Sequence, residues 1–176
     1  MCQGYEFGYD GAMDDDLTDR LLSGWDQARP DLEIGTFQVT ARLSRVGAHL
    51  ARRQEEVFSR FGLNRGEVGL LSALRISPTH QDSPTRLARG LMLSSAGITS
   101  RIDRLERRGL VRRLPDPNDR RGVIIELTDE GLAIVDSAVS ANTASDRQLL
   151  GRLDAAEVTQ LEQILRKLLG GLELSD

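Results

Sequence analysis

Apolar residues recur at helical spacing over residues 36–61, where Val39, Leu43, Val46, Leu50, Val57 and Phe58 share one side of a 3.6-residue period. That pattern predicts a long amphipathic helix ended by Gly62. Ahead of it, residues 17–25 read as a short helix, stopped at Arg29-Pro30 because a residue before proline is pushed out of the α region. Asn64 and Glu67 form a capping-box pattern for a helix carrying Val68, Leu71 and Leu74, which closes at Ser77-Pro78. Ser83 as N-cap and Pro84 at the first helical position open another, over residues 85–91. Ser94 or Ser95 caps the next, with Ile98, Ile102 and Leu105 on its buried stripe and Gly109 at its end.

The period then falls to two. Residues 110–114 and 123–127 read as strands, rich in β-branched positions, around a turn at residues 115–119. Thr128 caps a helix reaching about Gln148, with Leu132, Val135 and Val139 inward. Asp154 with Glu157 opens the last helix, along Val158, Leu161, Ile164, Leu165, Leu168, Leu169 and Leu172. The fold class is mainly α with a small β-wing. The last stripe is wide for a chain end, so it either folds back on its own core or meets a second subunit. Because the first long helix is also amphipathic, the favoured expectation is a homodimer joined by its N- and C-terminal helices. Residues 1–16 have no period and end in an acidic run, which reads as a mobile tail, with Met13 an alternative start to Met1.

Composition narrows the function. A chain of 176 residues with 28% charged and 39% hydrophobic residues can bury one sizeable core or two small ones. No apolar run approaches membrane-span length and no charged-then-apolar leader begins the chain, so a cytoplasmic protein without membrane contact is expected. One cysteine, Cys2, cannot form an internal disulfide, and two histidines leave little for a metal site. No nucleophile–base–orienter set and no phosphate-cradling glycine loop is present, so neither catalysis nor a cofactor is expected. The net charge is −4, yet residues 86–121 hold ten arginines against four acids, leaving −10 for the remainder. A basic patch on an acidic body is the electrostatic footprint of a nucleic-acid reader. With 22 arginines and one lysine in the chain, the segregation says more than the enrichment. Few aromatics argue against RNA stacking; duplex DNA is the expected partner, with a merely solvated arginine-rich helix or the docking of an acidic protein surface as the alternatives.

Residues 94–128, SSAGITSRIDRLERRGLVRRLPDPNDRRGVIIELT, place a helix that opens with small polar residues directly before an Arg-rich hairpin. Such a helix can enter a major groove while the hairpin reaches the neighbouring backbone. Residues 87–132, and more weakly 36–170, resemble the MarR family of winged helix-turn-helix regulators, most specifically in DPNDRR followed by LTDEG.

The resemblance implies a DNA-reading domain over residues 62–128, N-terminal helices over 17–61 and C-terminal dimerisation helices over 129–176. It makes residues 94–107 the recognition helix. Ser94, Ser95, Ala96, Thr99 and Ser100 are small enough to let it into the groove, although Ser94 and Ser95 could serve only as caps. Arg101 and Arg104 are expected to contact DNA, or else to pair with Asp103 or Glu106. Arg107 and Arg108 are assigned to the helix end or solvent. In the wing, Asp119 would hold Arg121 extended toward the minor groove, where a narrow A·T-rich groove favours arginine, and Arg120 would touch phosphate. A plain turn salt bridge is the alternative. Arg112 and Arg113 alternate along a strand, so at most one of them can face DNA.

The resemblance also implies a repressor of a pseudo-palindromic operator, released when an effector changes the spacing of recognition helices meant for half-sites about 34 Å apart. Trp25 resembles a tryptophan that lines the pocket in a urate- or metabolite-responsive branch, and His49 is a second pocket candidate. That branch carries Asp where this chain has Gly69, which argues against urate and leaves another small anionic or aromatic compound. Without a cysteine on the first long helix, a thiol sensor is not expected. The competing classes are a winged-helix module that docks another protein and a DNA-binding regulator blind to any effector.

Overall fold

A computed structural model describes residues 16–117 and 119–173. The expected tail before Asp16, Cys2 and Met13 lie outside the described residues, as do Asn118 and the Arg120 side chain. The chain divides into two compact units at Ala51/Arg52, inside a long helix rather than at its end.

The first unit holds α1 (Leu17–Ala28) and most of α2 (Phe37–Ser59). Asp16, expected to end the tail, is instead the N-cap of α1. Its carboxylate accepts from the N–H groups of Thr18 and Asp19, and Asp19 accepts in return from the Asp16 N–H. Arg42 of α2 clasps this cap, with Nε 2.9 Å from Asp16 and Nη2 2.6 Å from Asp19. The stop before Pro30 falls as the sequence predicts, with Arg29 as C-cap. The apolar row of α2 divides: Val57 and Phe58 are buried, whereas Val39, Leu43 and Val46 are exposed.

The second unit carries the core. The last turns of α2, then α3 (Arg65–Ile76), α4 (Pro84–Gly90), α5 (Ser95–Arg107), α6 (Asp129–Leu150) and α7 (Ala155–Glu173) follow in order. Strands β1 (Gln81–Asp82), β2 (Val111–Asp116) and β3 (Asp119–Leu127) form one antiparallel sheet in the order β1-β3-β2. Capping sets most of the boundaries. Asn64 with Glu67, Ser83 ahead of Pro84, Ser94 and Thr128 are all N-caps, and Gly109 turns at φ +71° past the end of α5.

Leu70, Leu71 and Leu74 of α3 lie at zero exposure between Ile98, Ile102 and Leu105 of α5, Ile125 of β3, and Val135 and Ala138 of α6. Each such side chain contributes on the order of 2 kcal/mol on leaving water. Val139, expected inward, is 42% exposed, and Ala138 takes the buried place because the inward stripe of α6 is narrow at that turn. Arg75 and Asp136 tie α3 to α6 through two bonds of 2.9 and 3.3 Å.

The hairpin differs from the expected one. Pro115 and Asp116 belong to β2, opposite Val123 and Asp119, so the strands run further and the turn is tighter than residues 115–119. Strand β1 pairs Gln81 with Glu126 and Asp82 with Ile125; two residues are too few to show a period in sequence. Gly131, in the first turn of α6, sits where a Cβ would stand 2.0 Å from the Leu110 carbonyl oxygen. Because the obstacle is backbone, it cannot yield cheaply. Gly131→Ala is expected to cost at least about 2 kcal/mol of stability in urea melts; an unchanged midpoint would show that α6 can shift away from Leu110.

Candidate nucleic-acid interface

Three buried residues, Ile98, Ile102 and Leu105, turn one side of α5 into the core and leave the opposite side open. Ser95, Ala96, Thr99, Ser100, Asp103 and Arg107 line a shallow cleft along that open side. The structure therefore brings four of the five small residues read from sequence onto one exposed face. Ser94 is set apart as the N-cap, its Oγ accepting from the Gly97 N–H at 3.1 Å. The Thr99 hydroxyl donates to the Ser95 carbonyl at 2.9 Å and keeps its lone pairs to accept.

The flank of α5 is differently engaged. Arg104 Nε lies 3.2 Å from Glu67, which is only 5% exposed, and not against Asp103 or Glu106 as the spacing suggests. Those two acids take Arg113 of β2, with Nη2 2.5 Å from Asp103 and Nη1 against Glu106. This cross-link anchors the base of the wing to the exposed helix. Arg112 points to Glu126, which also accepts from Gln81 Nε2 at 2.7 Å. Both strand arginines are thus engaged by carboxylates. Arg107 Nε donates to the Asp103 carbonyl at 3.2 Å, within its own helix. Arg108 crosses to the segment before α3, donating to Gly62 O at 2.6 Å and Phe61 O at 3.3 Å.

At the wing tip, Asp119 accepts from the Arg121 backbone N–H at 2.9 Å. The resemblance implies an Asp119 that steadies the Arg121 side chain; the bond observed steadies the main chain and leaves the arginine exposed. Gly122 permits this closure, since a Cβ there would stand 2.8 Å from Asp116 Cβ and 3.0 Å from Asp119 Cβ. Sequence reasoning missed Gly122 and the Glu67–Arg104 and Arg113 bridges. The capping box had already accounted for Glu67, and partners far apart in the chain leave no local signal.

Trp25, 46% exposed, continues the exposed row of Leu17 and Leu21 on α1, and His49 is exposed on α2. A second cleft, of about 340 Å³, lies between α2 and α6 among Arg53, Glu56, Val57, Arg60, Ala141, Ala144, Ser145 and Gln148. It contains neither pocket candidate. Among the described residues no group of three or more His, Cys, Asp or Glu side chains could hold a metal ion, and no helix is long and apolar enough to cross a membrane.

A helix-turn-helix of α4 and α5, followed by a sheet whose hairpin extends past α5, defines the class: this is a winged helix-turn-helix protein. A model of the MarR family matches residues 61–122. The HTH-type transcriptional regulator PecS of Dickeya dadantii is 36% identical over 146 residues, covering 82% of this chain and 88% of PecS. The transcriptional repressor MprA of Escherichia coli is 27% identical over 92% of this chain and 93% of its own. Among solved structures, AbsC of Streptomyces coelicolor superimposes with a TM-score of 0.71 at 28% identity, covering 79% of this chain and 95% of AbsC. A variant of E. coli MarR complexed with operator DNA does so with a TM-score of 0.66 at 28% identity, over 82% and 97%. The chain belongs to the MarR family of winged-helix transcriptional regulators, whose members are DNA-binding proteins and not enzymes.

Arg112 and Gln81 together hold the Glu126 carboxyl below its ordinary value of 4.5, the arginine contributing most. A carboxyl lowered in the folded state stabilises above its unfolded pKa, and that contribution is lost as pH falls through the folded value. Wild type should therefore exceed Glu126→Gln in stability at neutral pH, with the gap closing below about pH 4.5. A gap independent of pH in urea titrations would sink this account of the sheet.

Proposed function

We propose that this protein is a homodimeric, cytoplasmic repressor that reads a pseudo-palindromic operator and is released by a small molecule. The observation that carries the reading is the open face of α5, where Ser95, Ala96, Thr99 and Ser100 stand opposite a fully buried stripe, beside a wing that presents Arg121. Small side chains let the helix approach base edges, and an exposed arginine suits a narrow minor groove. A MarR relative solved with operator DNA shares this fold, which supports the same mode of use here. In this reading residues 62–128 contact DNA. Ser94 holds the helix end toward phosphate, Asp119 steadies the strand before Arg121, and Arg120 meets phosphate. Arg101 and Arg104 lie on the flank, Arg104 contributing from the pose in which Glu67 holds it.

Dimerisation by residues 17–61 and 129–176 is supported by apolar rows left open. On α1 they are Leu17, Leu21 and Trp25, on α2 Val39, Leu43 and Val46, and on α7 Ile164, Leu168 and Leu172, the last 67% exposed. Steps of three and four residues place each set along one side of its helix, where a second copy would remove it from water. The effector reading rests on Trp25 and His49, both exposed and so accessible to a small aromatic or anionic ligand.

Gel shifts with the DNA upstream of the protein's own gene, at two salt concentrations and against a scrambled duplex, test the DNA reading. Binding should be sequence-specific and fall steeply with salt, because phosphate contacts release counterions. Arg121→Ala should weaken it substantially, by about tenfold or more, without lowering the melting temperature. Weak binding that ignores sequence and salt would favour the protein-docking class. Leu168→Asp, on a helix with no fully buried described residue, should convert a sedimenting dimer to monomer and remove operator binding; a dimer that survives it would exclude the α7 row. Since Trp25 is the chain's one tryptophan, its fluorescence should change on titrating the releasing compound, and a release with no such change would exclude Trp25 from the pocket.

A further inference from the structure

Arg101 and Arg104 of α5 and its C-cap Arg108 form one row, in steps of three and four residues, that faces the first turn of α3 and the segment just before it. Each meets a different chemistry. Arg108 donates to the carbonyls of Gly62 and Phe61, and Arg104 pairs with Glu67. Arg101 meets a residue with no side chain. A Cβ on Gly66 would stand 2.6 Å from its Cζ and 2.8 Å from both Nε and Nη2, so the guanidinium lies in the space that any other residue at 66 would fill. Arg101 is half-buried there, with no acidic partner among the described residues.

A half-buried guanidinium next to backbone, with no carboxylate to neutralise it, keeps its charge available to an anion from outside. It is also restrained before that anion arrives, so less side-chain freedom is lost on contact. We propose that Gly66 is a positioning residue for operator binding: its missing side chain lets Arg101 lie on the first turn of α3, and this sets the guanidinium on the flank of α5 to take one phosphate of the duplex. The inference rests on the DNA-reading function proposed above. It has a particular consequence, because the atoms displaced by a methyl group at 66 are the movable end of a side chain and not backbone. Alanine also favours a helix more than glycine does. Gly66→Ala should therefore leave the fold as stable as before, or more so, and still weaken binding.

Full-length wild type, Gly66→Ala, Arg101→Ala and the double variant should be compared by thermal melting and by operator binding across a salt series. Gly66→Ala is expected to melt no lower than wild type and to bind several-fold more weakly. Arg101→Ala is expected to lower the slope of log K against log salt by about one, the change for a single phosphate no longer neutralised by the protein. In the double variant, Gly66→Ala should add nothing to Arg101→Ala. Wild-type affinity in Gly66→Ala, or additive losses in the double variant, would overturn the positioning role. So would an Arg101→Ala protein that melts lower with its salt slope unchanged, since that is the mark of a structural clamp. If wild type itself shows no specific, salt-dependent binding, the DNA-reading function fails, and this inference with it.

Discussion

Burial of Ile98, Ile102 and Leu105 against the leucines of α3 sets the roll of α5 about its own axis, and which of its side chains stay open to a partner follows from that roll. A helix with one side locked into a close-packed core cannot rotate to suit a ligand. The open side is therefore the one carrying Ser95, Ala96, Thr99 and Ser100, whatever their own preferences. The flanks then receive the arginines at 101, 104 and 108 on one edge, and Asp103 and Glu106, with Arg113 of β2 between them, toward the wing.

Charge acts within that frame. The basic segment 86–121 has ten arginines, but Arg86, Arg104, Arg112 and Arg113 each lie against a carboxylate. In each of these pairs the arginine stays in contact with water, which screens the attraction, so the pair adds only about 1 kcal/mol or less. Their effect is geometric: the Arg113 bridges set β2 against α5, and the Arg112–Glu126–Gln81 group joins all three strands. Arg121, beyond the last of these pairs, is left exposed at the wing tip. The net charge of −4 misleads because it averages a local field over the whole chain.

Much of this was legible in the sequence because it is local. N-caps at Asn64, Ser83, Ser94 and Thr128 need only a side-chain oxygen three residues from a free N–H, and the buried stripe of α5 needs only its period. The misreadings share a cause. Strand β1 exists because Gln81 and Asp82 lie beside β3, not because two residues prefer to be extended. Asp16 looks like the end of an acidic run until α1 begins behind it and Arg42 arrives from α2. Val39, Leu43 and Val46 carry the same apolar signal as Val57 and Phe58, yet only the latter pair is covered, since period reports which face is apolar and not what meets it.

By itself the sequence determined the order of elements, the caps that bound most of them, the family, and the small residues that fill the open face of α5. Those features depend on neighbours within a turn or two, where spacing alone dictates the chemistry. Tertiary structure decided which arginines among the described residues lie against carboxylates, and that Gly66, Gly122 and Gly131 sit where no side chain fits without displacing a neighbour. Those outcomes depend on groups brought together from separate elements of the chain, and a helical or strand period carries no information about such meetings.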